Sequence, residues 1–392
     1  MSSSSSSEVK DAEQDEELSD ELQLIKSQHD IYEQLNENDS KDVNEEQANM
    51  FWEFIKQLRP GVNLYKISVP VATLEPKSLL ERMSNYACPT MLILNVAKMK
   101  KPEQRFMTVL RWILSTLTTT PKEGIMASKP YNPILGEIYR CKYKHKGSTS
   151  SFYGEQVSHH PPITSFYMEN LKKKIIYSGT LKPKTKMGLS NSLTNSFEGL
   201  ITFHILNYDE LYTIEFPPIT ARGLFFGHKY VEITSKLRIT CKKTGYYSSV
   251  EFKSKKDNAL DGKIKKDNHR IYLIKGKITK DITITPFKGD NKQDIPYLSA
   301  SDIKYPKVIV TPVYKQGPTE SRRVWHNVTY NIVKNKLDDA AEAKHTLEEK
   351  QRAIRKQRKS DFVFKPQFFQ KTKAKEWKFI KYPDPSDYAP KK

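Results

Sequence analysis

The sequence predicts an α+β chain in which β structure dominates, and three observations predict it. Short runs rich in β-branched and aromatic residues follow one another between about 135 and 290, separated by Asn, Asp, Gly or Pro turn signals. Apolar residues fall at helical spacing ahead of them, at Phe51, Phe54, Ile55 and Leu58 and again at Phe106, Val109, Leu110, Ile113 and Leu117. Past Thr319 the texture turns helical once more, in ESRRVWHNVTYNIVKN and LDDAAEAKHTLEEKQRAIRKQRKS.

Taken in order, residues 1–43 read as a disordered acidic tail: a serine run and then acidic sequence too poor in apolar residues to offset ordering entropy, with a helical tendency from Leu18 to Ile31. The segment 44–68 carries a short amphipathic helix, stopped by Arg59-Pro60-Gly61, whose aromatic face suits core packing or a movable cover. Residues 103–117 form a core helix. GLITFHIL (199–206), LYTIEF (211–216), KYVEIT (229–234), KLRITC (236–241), YSSVEF (247–252) and HRIYLI (269–274) are then successive strands. So many antiparallel strands imply one large sheet, whose closure would remove exposed edges and whose interior could be filled or hold a ligand. In the last helix Ala340, Ala343, Leu347 and Ile354 make the packing stripe.

The chain of 392 residues is long enough to bury a large core without staples, and its three cysteines, Cys88, Cys141 and Cys241, lie far apart with no CxxC pair. A reducing, cytosolic setting is expected. The net charge of +19 hides an asymmetry: residues 1–50 hold 15 Asp and Glu against 3 Lys and Arg, leaving 62 basic and 31 acidic residues for the body. A body so basic suits anionic partners, nucleic acid or the anionic faces of membranes.

The chemistry concentrates in EQVSHHPP (155–162). Neighbouring strand residues point to opposite faces, so His159 and His160 address one ligand only if the backbone leaves regular β geometry. Pro161 and Pro162 favour such a departure, placing the pair at a rim. The competing reading is a surface turn with two solvated histidines. Zinc would need ligands that no HExxH or Cys cluster supplies, Ser158 lacks a nucleophile elbow, and no Gly-rich phosphate loop is present. No enzyme and no cofactor is therefore expected. Lys344, Glu348 and Arg352 are spaced i, i+4, i+8 on one helical stripe, where a solvated charged face is the plainer reading.

Four segments together resemble the oxysterol-binding protein-related family: EQVSHHPP, KPYNPILGE (129–137), LEPKSLLE (74–81) and ESRRVW (320–325). The resemblance implies a short member consisting of the lipid-binding domain over 69–392. Its large incomplete antiparallel β-barrel would run to about 310 around an apolar lipid tunnel, ahead of a C-terminal helical subdomain over about 311–392. Residues 44–68 would form an N-terminal lid, with Phe51, Phe54, Ile55, Leu58 and Leu74 at the tunnel entrance. It further implies binding of phosphatidylinositol 4-phosphate, with a headgroup site carried over to His159, His160, Lys142, Lys344, Glu348 and Arg352. The second lipid is a sterol or phosphatidylserine. VPVATLE (69–75) departs from the L-P-T-F-I-L-E of relatives that carry phosphatidylserine and leaves both open. The expected protein is a monomeric lipid exchanger that visits anionic organelle membranes from the cytosol and binds no nucleic acid; a lipid sensor without net transport is the alternative.

Overall fold

In a computed structural model the described residues are 20–37, 70–118, 129–188, 191–223, 230–253, 258–289, 292–358, 362–373 and 376–380. A parallel pair, β1 (Leu74–Ser78) with β2 (Lys129–Tyr131), stands beside the main sheet. The main sheet opens with four long strands: β3 (Ile138–His145), β4 (Ser148–His159), β5 (Pro162–Asn170) and β6 (Ile175–Gly188). β7 (Ser192–Glu198), β10 (Ile219–Arg222) and β11 (Tyr230–Ile233) branch from β6 as a flap. β8 (Ile201–Ile205), β9 (Glu210–Glu215), β12 (Ser235–Cys241) and β13 (Tyr246–Phe252) continue the main path. β14 (Ala259–Lys266), β15 (His269–Lys277), β16 (Asp281–Pro286) and β17 (Ile295–Ser299) complete one side, and β18 (Lys307–Ile309) pairs with β3 on the other. These 16 strands form one sheet whose end strands, β17 and β18, do not pair with each other, so the curved sheet stays open. Every pairing in it is antiparallel, as expected of short turns between successive strands.

Alternation decides which face is inside. In β12, Leu237, Ile239 and Cys241 are buried while Lys236, Arg238 and Thr240 face outward. The inner faces close on a helix. After α1 (Asp30–Glu37) and α2 (Leu79–Tyr86), α3 (Pro102–Thr116) starts on a proline, which needs no N–H partner there. All five residues of the expected stripe, Phe106 to Leu117, are buried. Trp112 joins them: it lies against Tyr177 of β6 and Phe203 of β8, and its Nε1 donates to the carbonyl of Cys88 at 3.1 Å. Burying such side chains contributes about 1.5–3 kcal/mol each, so α3 serves as the spine on which the sheet is wound. The three cysteines are free and buried.

The C-terminal region holds α4 (Ser321–Val324), α5 (His326–Val333) and the long α6 (Leu337–Gln357). It is not purely helical as expected: the hairpin β19 (Phe369–Lys371) with β20 (Trp377–Phe379) covers the outer face of β4 and β5, where Phe379 stacks on Tyr167 at 4.2 Å. Of the α6 stripe, Ala340, Ala343 and Leu347 pack inward, whereas Ile354 is 38% exposed because α6 has by then run past its support.

The tail also departs from expectation. A helical stretch at 20–27 and α1 bury Ile25, Ile31 and Tyr32 against Val313, with Tyr314, Tyr330 and Val333 alongside. Sparse apolar residues suffice here because three of them fall on one face opposite a ready-made apolar groove. Residues 44–68, with Phe51, Phe54, Ile55 and Leu58, lie outside the described residues.

Candidate functional site

Three of the quoted segments meet at one buried carboxylate. Glu137, at the end of KPYNPILGE, accepts hydrogen bonds from the Ser78 hydroxyl, the Ser321 hydroxyl (2.7 Å), the Trp325 indole (2.9 Å) and the Ile134 amide (3.0 Å). Burial pushes its pKa up, and those donors oppose the shift. Alongside, Glu81 of LEPKSLLE and Arg322 of ESRRVW form a buried ion pair at 2.5 Å, and Glu320 takes Arg140 of β3 at 2.8 Å. These contacts tie β1, the β2–β3 connection and α4 together, and so hold β2 and α6 at the end of β4.

The end of β4 opens into a cleft of about 1080 Å³. The outgoing β4 carries His159 and the turn carries His160, whose bond to Pro161 is cis. The two imidazoles lie edge to face, 4.8 Å apart, on the same cleft. His159 Nδ1 sits 3.1 Å from the Pro133 carbonyl, which places its proton on Nδ1 and a lone pair on Nε2. Burial lowers its pKa, helped by the neighbouring His160. Arg355 Nη1 donates to His160 Nε2 at 2.7 Å, which assigns that ring's proton to Nδ1.

α6 forms the opposite wall. Its stripe of Lys344, Glu348, Arg352 and Arg355 faces the histidines. Glu348 accepts from Lys344 at 2.8 Å and lies 3.6 Å from Arg352, whose guanidinium donates to the neighbouring Glu349. Lys129, the first residue of β2, joins them; burial pushes its pKa down to about 8, Lys344 pushes the same way and Glu348 opposes. Lys182, Lys184 and Lys186 of β6 line the cleft together with Pro183 and Thr185 between them, and Lys184 is paired with Glu198 of β7. With Arg358 added, Glu348 is the only carboxylate among the described residues lining the cleft. The charge of such a site suits polyanions, and its guanidinium groups can grip phosphate oxygens in pairs.

Of the expected headgroup residues, the structure brings together His159, His160, Lys344, Glu348 and Arg352. Lys142 is not among them. It lies on β3 opposite Ser151 and Ile309, exposed on the outer face, four residues beyond Ile138 and hence about 13 Å farther along the strand from the cleft end. Lys129 occupies the place expected of it. Counting forward from the glutamate of NPILGE led up the wrong strand, whereas the lysine that opens the same segment was the usable signal. Leu74 lines the cleft as well, buried in β1. Arg355, one turn past Arg352, and the alternating KPKTK of β6 were also legible as periodic patterns.

Glu155, the first residue of EQVSHHPP, has a different task. Its buried carboxylate accepts from the amides of Gln367 (2.7 Å) and Phe368 (2.8 Å), and burial raises its pKa to about 7. It thereby pins the segment that carries Phe362 and Phe364 along the cleft edge.

Comparison with known proteins agrees on the architecture. A sequence profile described as oxysterol-binding protein matches residues 50–332. The human oxysterol-binding protein-related protein 8 is 36% identical over 329 residues, which is 81% of this chain but 36% of that protein, so the chain spans about a third of that relative's length. Oxysterol-binding protein 4 of Dictyostelium discoideum is 33% identical over 344 residues, covering 84% of this chain and 73% of its own. Among solved structures, the Osh1 ORD domain in complex with ergosterol aligns with a TM-score of 0.69 at 23% identity, over 84% of this chain and 85% of the other. The Osh3 ORD in complex with PI(4)P from Saccharomyces cerevisiae aligns with a TM-score of 0.62 at 20% identity, over 86% and 90%. These structural likenesses identify the fold.

Proposed function

Since the chain belongs to the oxysterol-binding protein family, we propose that it is a lipid carrier, holding phosphatidylinositol 4-phosphate by its headgroup in the basic cleft. The carrying observation is the convergence of His159, His160, Lys129, Lys344 and Arg352 on one cleft in which Glu348 is the only carboxylate among the described residues. A phosphomonoester brings about −1.5 to −2 charges, and the lipid's phosphodiester adds another. The clustered cations offset that charge, and Glu348 accepts from inositol hydroxyls while keeping Lys344 in register. The solved relatives bound to ergosterol and to PI(4)P support the same ligand classes here.

The second lipid, a sterol or phosphatidylserine, occupies the apolar interior of the sheet, and the protein exchanges the two between membranes as a monomer that touches organelle surfaces from the cytosol. No helix among the described residues is long and apolar enough to cross a membrane. Exposing an acyl chain costs about 0.8 kcal/mol per CH₂, over 10 kcal/mol for a chain of ordinary length, which is why a carrier must enclose it. Native mass spectrometry after incubation with mixed liposomes tests the reading. The wild type acquires one phosphoinositide or one competing lipid per chain, and His159→Ala/His160→Ala loses the phosphoinositide while keeping the second lipid. Loss of both from a folded variant contradicts the division between cleft and interior. Binding without transfer between liposome populations would make the protein a sensor.

A further inference from the structure

The segment that runs from Phe362 into the β19–β20 hairpin touches the cleft at one end and the outer face of the sheet at the other. Beside the cleft, the Arg358 guanidinium lies 4.7 Å from the centre of the Phe362 ring. Phe364 packs on the backbone of Gly136, where a Cβ would stand 3.0 Å from its Cζ. Both rings line the cleft. Phe368 and Phe369 then enter a small apolar cluster with Ile138 and Val157. The hairpin closes on that cluster through Phe379, 5.1 Å from Tyr153 and 4.2 Å from Tyr167. Cleft edge and hairpin are thus two ends of one short strap, held on by β4 and β5.

A carboxylate stands in the middle of this apolar attachment. Alternation along β4 turns Tyr153, Glu155 and Val157 outward, under the strap, and Glu155 is 1% exposed. A charge buried so deeply is ordinarily matched by a cation. Glu155 instead meets backbone: the amides of Gln367 (2.7 Å) and Phe368 (2.8 Å), with that of Phe369 as a third donor. All three belong to the strap. Directly opposite Glu155, β3 and β5 place Ile138 and Ser165. The titratable and charged groups elsewhere on this face have engagements of their own. Arg140 of β3 holds Glu320, Tyr153 of β4 meets Phe368 edge-on at 5.5 Å, and Tyr167 of β5 donates to Glu169 at 3.1 Å. On the strap, Lys365 is exposed and Lys371 lies 5.8 Å from the centre of the Trp377 ring. The strap therefore supplies both the burial of Glu155 and its hydrogen-bond donors.

We propose that docking of this strap tightens the headgroup cleft and that Glu155 is its proton-operated latch, a positioning residue that acts on the ligand only through the strap. The sign follows from linkage. With the strap docked, burial holds the Glu155 carboxyl at about 7; with the strap lifted, the group faces water and returns to its ordinary value of 4.5. Docking between those values takes up a proton. Its contribution is fully present below the lower value and is lost as the pH rises through the upper one, because an ionised carboxylate is then desolvated by the strap. A seated strap keeps water from the cleft edge through Phe362 and Phe364, which strengthens the pull of the cations on phosphate. That last step rests on the lipid-carrier reading above.

The first measurement is amide hydrogen exchange across residues 367–369 of the full chain, each rate divided by that of an unstructured peptide at the same pH. Protection in the wild type falls about ten-fold from pH 6 to pH 8, as one group moving between those two values dictates. In Glu155→Gln, which keeps the shape and cannot ionise, it changes less than two-fold. A flat or rising wild-type profile overturns the latch without recourse to any variant, and so does a wild-type slope in Glu155→Gln. The second measurement is titration with short-chain phosphatidylinositol 4-phosphate. The phosphate, His159, His160 and Lys129 titrate alike in both proteins, so the ratio of wild-type to Glu155→Gln affinity isolates the latch, and it falls several-fold from pH 6 to pH 8. Phe379→Ala loosens the hairpin away from the cleft without changing any charge. It speeds exchange at 367–369 at least ten-fold and weakens headgroup binding several-fold. Faster exchange with unaltered affinity would reduce the strap to an anchor for the hairpin and overturn its tie to the cleft. If the lipid binds none of these proteins the carrier reading falls, while the exchange profile still decides the latch.

Discussion

At the residue scale, the exchange of Lys142 for Lys129 is the sharpest outcome. Two lysines near one motif differ in burial, strand face and distance, and only Lys129 faces the cleft. Lys129→Ala is expected to weaken phosphoinositide loading ten-fold or more, and Lys142→Ala to leave it within two-fold, measured by extraction from liposomes. Lys129 also sets a pH dependence. Its pKa in the empty cleft is about 8, and a bound phosphate raises it. Binding therefore takes up a proton above pH 8, and affinity falls by up to ten-fold per pH unit as the pH rises further. Lys129→Arg, whose charge does not titrate in that range, should flatten the profile; an unchanged slope would assign it to another group.

At the element scale, the cleft depends on contacts made away from it. α2 and α4 are joined by the Glu81–Arg322 pair, with both side chains buried. Removing one partner of such a pair leaves an uncompensated buried charge and costs about 3–5 kcal/mol. Glu81→Gln should lower unfolding stability by about that amount in chemical denaturation, because Arg322 then lacks its anion. The N-terminal helices are held by an apolar face together with polar contacts of Tyr32, Gln28 and Glu21 to α4 and α5, and Ile31→Asp, which puts a charge into that face, should release them from Val313, Tyr314 and Tyr330. The expected signature is rapid proteolysis before residue 37 with the β-sheet signal in circular dichroism unchanged. Glu348 shows the same dependence within α6: an i, i+4 spacing that reads as a solvated face becomes a site because the helix is laid across the end of β4.

At the scale of the whole molecule, charge and fold act together. Residues 51–392 hold 62 basic and 31 acidic residues, and the fold gathers a group of the cations around the cleft. Association with anionic vesicles should fall steeply between about 50 and 300 mM salt, as the screening length shrinks to below about 10 Å, while association with neutral vesicles stays weak throughout; salt-independent binding would point to apolar insertion instead. The sequence by itself determined the β-rich class, the core helix at 103–117, the histidine rim and the charged stripe of the last helix. Each of these depends on local periodicity or on a local backbone constraint, and such signals survive in one dimension. Tertiary structure alone decided that Glu137 gathers three distant segments, that Lys129 rather than Lys142 enters the cleft, and that residues 20–37 dock on the C-terminal helices. Those facts follow from strand register and from which face each element buries, and both are settled by contacts between residues far apart in the chain.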